Sequence, residues 1–302
     1  MDGQKSPIVI HDEMVASFAI PRPNDGHKGT FGRLLVRAGS EGMGGAGYLC
    51  TMSALRSGVG LVHVLTAQGL LAPLMTLCPT ATSRAVDPDG LPISIEELHA
   101  EIKRSTAVLM GPGLVPSCQS NIEQLKEVIL TGAHVILDAG ALTMLAENDM
   151  SASLQERRDR QLPPMVITPH VGEFKRLCPS FDGKVRDDIP LQYAKDHHVI
   201  LVLKDHQTSI FTPAGAWYSI AGGNNGLAKG GSGDVLAGLL GGFLAQGMEE
   251  EKAAISAVYI HSMAGKMAAA DYGVRAMLPT MLWDYYPQCY TRIGWEKRET
   301  EL

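Results

Sequence analysis

The sequence predicts an α/β fold with a central, mostly parallel sheet, helices on both faces and an antiparallel hairpin at one edge. Three observations carry that expectation. Short apolar, β-branched runs without polar alternation recur along the chain, as strands buried on both faces do. Helix-length segments separate them, which is the rhythm of β-α-β units. Near the end, two short strand-like runs are joined by three turn-forming residues.

The strand-like runs are Leu34–Val36, Leu61–Leu65, Ala107–Met110, His134–Leu137, Met165–Thr168 and Val199–Leu203. Gly45–Arg56, Asn121–Leu130 and Leu191–His197 are the clearest helical segments between them. Thr208–Thr212 and Ala216–Ile220, linked by Pro213-Ala214-Gly215, read as the hairpin. Ser232–Gln246 sets Val235, Leu236, Leu239, Leu240, Phe243 and Leu244 on one broad stripe, with Gly247 as the stop signal. A second long helix is expected over Glu249–Ala270. Asp87-Pro88-Asp89-Gly90 and the charged run Gln155 to Gln161 read as short surface loops, and no linker interrupts the chain. One domain over residues 1–302 is expected, with an aromatic tail from about 276.

Hydrophobic residues are 45% and charged residues 19% of the 302, an ordinary globular balance. The net charge of −6, without a basic run, excludes nucleic acid as the expected partner. No apolar stretch reads as a signal peptide or a membrane span, so a cytoplasmic enzyme is expected. Cys50, Cys78, Cys118, Cys178 and Cys289 are scattered with no CxxC pair, and read as thiols in a reducing compartment rather than as staples or zinc ligands.

Glycine is abundant, 33 residues, and clustered. The densest cluster is Gly222-Gly223-Asn224-Asn225-Gly226-Leu227-Ala228-Lys229-Gly230-Gly231-Ser232-Gly233-Asp234, directly before the apolar helix. Glycines let successive N–H groups turn inward and form an anion cradle, and the helix start adds further N–H groups and a partial positive charge. Asp234 in that first turn has two readings, compensation of the helix dipole or general base. An acid beside a site built for anions repels the ligand unless it acts on it, which favours the base. Lys229 is followed by Gly230, so this is not the Gly-Lys-Ser/Thr of a Walker loop. Gly42-Met43-Gly44-Gly45-Ala46-Gly47 matches GxGxxG, but the next strand ends Val64-Leu65-Thr66-Ala67-Gln68 without the acid that binds a ribose, so it reads as a small-residue turn against a ligand.

Gly-Gly-Ser-Gly-Asp before an apolar helix resembles the anion hole and base of ribokinase-like kinases. Further segments narrow the resemblance: His27-Lys28-Gly29, Gly39-Ser40 with Gly45-Ala46, Ala54 to Val62, Met110-Gly111-Pro112-Gly113-Leu114, Leu137-Asp138-Ala139-Gly140, Thr168-Pro169-His170-Val171-Gly172-Glu173 and Leu203-Lys204-Asp205-His206-Gln207-Thr208. In this order they resemble the ADP- or ATP-dependent NAD(P)H-hydrate dehydratases over roughly residues 25–275. The resemblance implies phosphorylation of the hydroxyl on the hydrated nicotinamide ring of NADHX or NADPHX, then loss of phosphate to restore NADH or NADPH. It implies Asp234 as base. Ala46, Gly113, His170 and Asp234 would contact the hydrated nucleotide, and Lys204, Asp205, His206, Gln207, Thr208, Gly231, Ser232 and Gly233 the adenine nucleotide. It also implies Mg2+, held mainly by phosphates and water with Glu173 nearby, ADP or ATP as donor, and a homotetramer. A ribokinase-like kinase for a small alcohol such as a vitamin precursor is the alternative.

The residues alone leave bland readings open: Asp138 as a helix cap, His170 as a loop histidine, Glu173 as a first-turn acid and Lys204 as a solvated strand-end lysine. The chain departs from the family pattern at Asp205-His206, where Gly-Ala is usual, and at Asn225 and Val171, where proline is usual. The fused epimerase domain of bacterial members is not seen, which implies a stand-alone enzyme. The aromatic tail, with Trp283, Tyr285, Tyr286, Tyr290 and Trp295, reads either as core or as subunit interface.

Overall fold

Successive side chains of the apolar strands point to opposite faces, so each strand must serve two cores at once. In the computed structural model, which describes residues 6–87, 92–185 and 188–296, they do. Leu34, Val36, Ala107, Leu109, Ile136, Val166, Ile200 and Val202 enter one buried cluster. Their neighbours Leu35, Val108, Met110, Val135, Leu137, Met165, Ile167, Leu201 and Leu203 enter the other.

The strands are β1 (Ile8–Ile10), β2 (Arg33–Arg37), β3 (Leu61–Thr66), β4 (Thr82–Ala85), β5 (Ala107–Met110), β6 (His134–Leu137), β7 (Met165–Ile167), β8 (Val199–Leu203), β9 (Ser209–Phe211) and β10 (Trp217–Ile220). The helices are α1 (Asp12–Ala16), α2 (Gly44–Arg56), α3 (Leu71–Leu77), α4 (Ile95–Lys103), α5 (Gln119–Ile129), α6 (Gly140–Glu147), α7 (Ser151–Asp159), α8 (Val171–Leu177), α9 (Asp188–His197), α10 (Ser232–Ala245), α11 (Glu250–Ala276) and α12 (Tyr286–Arg292). Among the described residues the strands form one sheet in the order β1-β10-β9-β8-β7-β6-β5-β2-β3-β4. Only β9 runs against the others, pairing antiparallel with both β8 and β10. Helices α2, α10, α11 and α12 cover one face and α4, α5, α6, α8 and α9 the other.

The six strand runs read from sequence are β2, β3, β5, β6, β7 and β8, and the hairpin is β9–β10. The short strand β1 pairs parallel with β10, Val9 against Ser219, and lies outside the hairpin at that end of the sheet. The run Gln155 to Gln161 is not a loop: residues to Asp159 are helical in α7. Its sequence has no apolar stripe because one arginine anchors it. Arg157 is buried and donates to the carbonyls of Ile129, Thr131 and Pro163. The expected turn at Asp87 to Gly90 falls largely outside the described residues.

The aromatic tail is core. Tyr286 is fully buried, its hydroxyl 3.0 Å from Ser53 Oγ. Trp295 stacks on Tyr290 at 5.9 Å, meets Phe243 edge-on at 5.4 Å and donates to the carbonyl of Val15. Cys50, Cys78 and Cys289 are buried thiols, and Cys118 and Cys178 half-buried ones.

Candidate active site

The glycine-rich loop has a defined shape because three contacts hold it. Asn224 accepts from its own Gly226 N–H at 2.9 Å and donates to the Gly265 carbonyl of α11 at 2.6 Å. Lys229 donates to the carbonyls of Arg275 and Met277 at the carboxyl end of the same helix. Gly223 lies so near the loop after β8 that a β-carbon would stand 2.0 Å from the His206 carbonyl oxygen. Asn225, where proline is usual, opens a single 3-10 turn, Asn225–Leu227.

Gly231 then turns the chain with φ 97° and caps α10. A side chain there would be strained by its backbone and would meet Leu49 at 2.6 Å. The first-turn N–H groups of Gly233 and Asp234 have no backbone acceptor, as helix geometry dictates. Ser232 does not share this freedom, because its N–H is taken by the Lys229 carbonyl at 3.2 Å. Its hydroxyl is buried without a partner, so this residue offers the cradle an O–H rather than an N–H.

Three adjacent strands deliver the polar floor. Asp138 follows β6, Thr168 follows β7 and Lys204 follows β8. Asp138 Oδ1 accepts from Thr168 Oγ1 and from Lys204 Nζ, each at 2.8 Å. Asp138 is therefore not a helix cap; Ala139 holds that position, with the strained combination φ 49°, ψ −114°. Nor is Lys204 a solvated lysine. Burial works against its charge, yet Asp138, with Glu173 and Asp234 behind it, leaves the ammonium above its ordinary range.

Asp234 faces this group. Burial first, and then the negative charge of Asp138, push its carboxyl up to about 6, with Lys204 pulling the other way and Glu173 adding to the rise. A carboxyl poised near neutrality suits proton abstraction better than dipole compensation. His170 and Glu173 form a reciprocal cap at the start of α8: His170 Nδ1 accepts from Glu173 N–H at 3.1 Å, and Glu173 Oε2 accepts from His170 N–H at 2.8 Å. Glu173 is thus a buried, structurally engaged acid, while the His170 ring is exposed at the rim.

These groups line a cavity of about 1200 Å³ at the carboxyl ends of the strands, where ligands of open α/β sheets bind. Asp138, His170, Glu173, Lys204, Asp205, His206, Thr208, Gly231, Ser232, Gly233 and Asp234 all face it. Gln207 is exposed and does not line it. Asp205 turns its carboxylate onto its own loop, accepting from His206 N–H at 2.7 Å. Ala46 and Gly113 lie outside this cavity but against each other: a β-carbon on Gly113 would be 3.0 Å from that of Ala46. They form a second small-residue surface one helical turn along α2 from Leu49, which touches Gly231. His27-Lys28-Gly29 is elsewhere. Lys28 packs on Gly60, and nearby Gly32 packs on Ala245 at the far end of α10, roughly 16 Å along that helix from Asp234.

Several cavity residues were not read from sequence. Lys229 and Lys266 carried no signal beyond being lysines, and Lys266 donates to the Ala221 carbonyl at 2.9 Å. His261 sits inside an apolar helix, buried, its Nδ1 without a partner and its basicity pushed down to about 4 by burial and by Lys204. Helix α4 did carry a signal, Ser94 three residues before Glu97, and that capping box is present.

The NAD(P)H-hydrate dehydratase family model matches residues 34–288. The chain belongs to that family. It is 31% identical to the ADP-dependent (S)-NAD(P)H-hydrate dehydratase of Bacillus subtilis over 285 residues, 93% of this chain and 97% of that one. It is 35% identical to the bifunctional NAD(P)H-hydrate repair enzyme of Moorella thermoacetica over 278 residues, 88% of this chain. The match spans 50% of that enzyme, so the chain corresponds to about half the length of the bifunctional relatives. A crystal structure of the Bacillus subtilis ADP/ATP-dependent NAD(P)H-hydrate dehydratase, co-crystallized with ATP/Mg2+, superposes with a TM-score of 0.80 at 29% identity, over 95% of this chain and 98% of that one. Hydroxyethylthiazole kinase from Pyrococcus horikoshii, at 15% identity and a TM-score of 0.56, shares the fold. The dehydratase-family fold is thus the ribokinase-like one, a mostly parallel sheet with one antiparallel strand.

Proposed function

We propose that this dehydratase-family chain restores NADH or NADPH from its hydrated form, NADHX or NADPHX, with ADP or ATP as phosphoryl donor. The observation that carries the reading is Asp234: a near-neutral carboxyl in the first turn of α10, between a glycine anion cradle and the Asp138–Lys204 pair. The ring hydroxyl attacks the terminal phosphorus, Asp234 takes its proton, and the bond to the nucleotide breaks. Phosphate is a far better leaving group than hydroxide. The ring nitrogen's lone pair expels it as the C–O bond breaks, and loss of a proton from the neighbouring carbon restores the double bond.

The N–H groups of Gly233 and Asp234 and the hydroxyl of Ser232 would hold the transferring phosphoryl, each such donor contributing about 3–4 kcal/mol in a dry site. Lys204, Asp205, His206 and Thr208 would border the nucleotide, with Gln207 at the outer rim. Ala46 and Gly113 would back the hydrated nicotinamide, with His170 at its edge. Among the described residues no three His, Cys, Asp or Glu side chains are arranged to hold an ion. Glu173 already accepts from the His170 N–H. The donor set therefore fits Mg2+ carried by phosphates and water, where it would neutralise phosphate charge. A single domain acting as a cytoplasmic homotetramer remains the reading supported by resemblance; no helix among the described residues is long and apolar enough to cross a membrane.

The test follows absorbance at 340 nm with hydrated NADH, magnesium, and ADP or ATP in separate cuvettes. A rise that needs nucleotide and is lost in Asp234→Asn is the expected result. No rise with either donor, from folded protein that binds nucleotide, would overturn the proposal in favour of a small-alcohol kinase.

A further inference from the structure

Lys204 is surrounded by three carboxylates, Asp138, Glu173 and Asp234, and only one of them holds it. Its Nζ is 2.8 Å from Asp138 Oδ1, and Asp138 is itself fixed by Thr168 and almost wholly buried. The ammonium ends directly beneath the cradle: a β-carbon on Gly233 would stand 3.1 Å from Nζ and 3.9 Å from Asp138 Oδ2. Asp234 is the next residue. Glu173 is already engaged by the His170 N–H, so a lysine on this flexible stem has Asp138 and Asp234 to choose between. Paired with Asp234 it would suppress the base and block the place where the attacking hydroxyl must sit.

We propose that Asp138 is a positioning residue that holds Lys204 off the base and under the anion cradle, and that it weakens the grip of Lys204 on the nucleotide in doing so. The inference rests on the reading of Asp234 as base, and it goes further by giving the buried carboxylate a function that neither a cap nor a phosphate ligand would have. Asp138 Oδ1 is already taken by Thr168 and Lys204, and a carboxylate next to phosphate opposes binding. Its position is therefore explained by what it does to Lys204. The other charged or titratable groups facing this pair are Glu173 and His170 from α8, His261 from α11 and Asp234 from α10, with the Cys50 thiol of α2 behind.

Asp138→Asn keeps the shape and the Thr168 bond but removes the charge. Affinity for ADP and ATP, measured by calorimetry without the hydrated substrate, is expected to tighten at least about three-fold as the opposing charge goes. Turnover at saturating nucleotide should fall at least about ten-fold, because Lys204, no longer fixed by Asp138, is shared between the phosphates and Asp234. Tighter binding with slower turnover is the signature; a merely structural lesion loosens both. Unchanged or weaker nucleotide binding in folded Asp138→Asn overturns the inference.

If that variant does not fold, Lys204→Gln and Asp138→Asn/Lys204→Gln form the second comparison. Lys204→Gln strands a carboxylate beside the phosphates, so the double variant should bind nucleotide more tightly than the single one, and equal or weaker binding overturns the inference. Wild-type protein that shows no rise at 340 nm defeats the dehydratase reading, whereas the binding arms speak only to Asp138.

Discussion

Gly238 of α10 faces the carbonyl of Cys50 in α2 so closely that a β-carbon would stand 2.2 Å from its oxygen. Those two helices cross there with no side chain between them, and α10 carries Asp234 at its start. Gly238→Ala should therefore force the helices apart, costing about 2–3 kcal/mol or more in urea unfolding and displacing Asp234. Gly132→Ala, where a β-carbon meets nothing within 4 Å, is the control and should stay within about 0.5 kcal/mol.

The raised carboxyl of Asp234 ties stability to pH with a definite sign. Its folded value of about 6 lies above the ordinary 3.8, so the fold prefers the protonated form. That contribution is fully present below about pH 4 and is lost as pH rises through 6. Asp234→Asn, a neutral mimic, should thus be nearly silent at pH 4 and stabilise by on the order of 1–2 kcal/mol at pH 8, seen as a higher Tm. Turnover should fall by at least about 10²-fold. If Asp234 is the base proposed above, wild-type activity should decline below about pH 6 as its carboxyl is protonated.

Lys229 stitches the glycine loop to the carbonyls of Arg275 and Met277. Lys229→Met should free that loop without touching either core. Nucleotide affinity should weaken about three- to ten-fold, because binding must then order the loop itself. Calorimetry and faster proteolysis near residue 225 in the absence of nucleotide would report it; unaltered affinity and proteolysis would show the tether is ornamental.

Tyr286 tests whether the tail belongs to the core. Tyr286→Phe removes one hydroxyl bonded to Ser53 and should cost about 1 kcal/mol. Tyr286→Ala should cost about 3–5 kcal/mol in urea unfolding, because the side chain is fully buried. A loss under 1 kcal/mol for the alanine variant would mean the tail is only draped on the surface.

Apolar periodicity made the buried strands and the helices read as Gly45–Arg56, Ser232–Gln246 and Glu249–Ala270 legible, since each must bury a continuous run or a stripe; the last of these runs on to Ala276, past the point where the apolar residues give out. It missed β1 and β4, where exposed Ile8 and Val9 or mixed polar residues at the sheet ends leave no pattern. It missed the helicity of 155–159 because Arg157, not an apolar stripe, holds that helix. In the site, the cradle and Asp234 were legible, because glycines before a helix leave few conformations and a carboxylate there has few uses. The lysines Lys229 and Lys266 and the buried His261 were not, because nothing in the neighbouring residues marks which lysine or histidine will reach a cavity.

The sequence by itself determined the two-faced sheet, the glycine-rich loop and the place of Asp234 in the first turn of the helix after it, all of which follow from local rules: alternation across a strand, the freedom of glycine, the free N–H groups of a helix start. Only the tertiary structure decided that Asp138 holds Lys204 rather than capping a helix, that Ala46 meets Gly113, and that His27-Lys28-Gly29 lies at the opposite end of the sheet. Each of these depends on which strand ends stand side by side. That is set by the strand order β8-β7-β6-β5-β2, a consequence of non-local packing that no window along the chain contains.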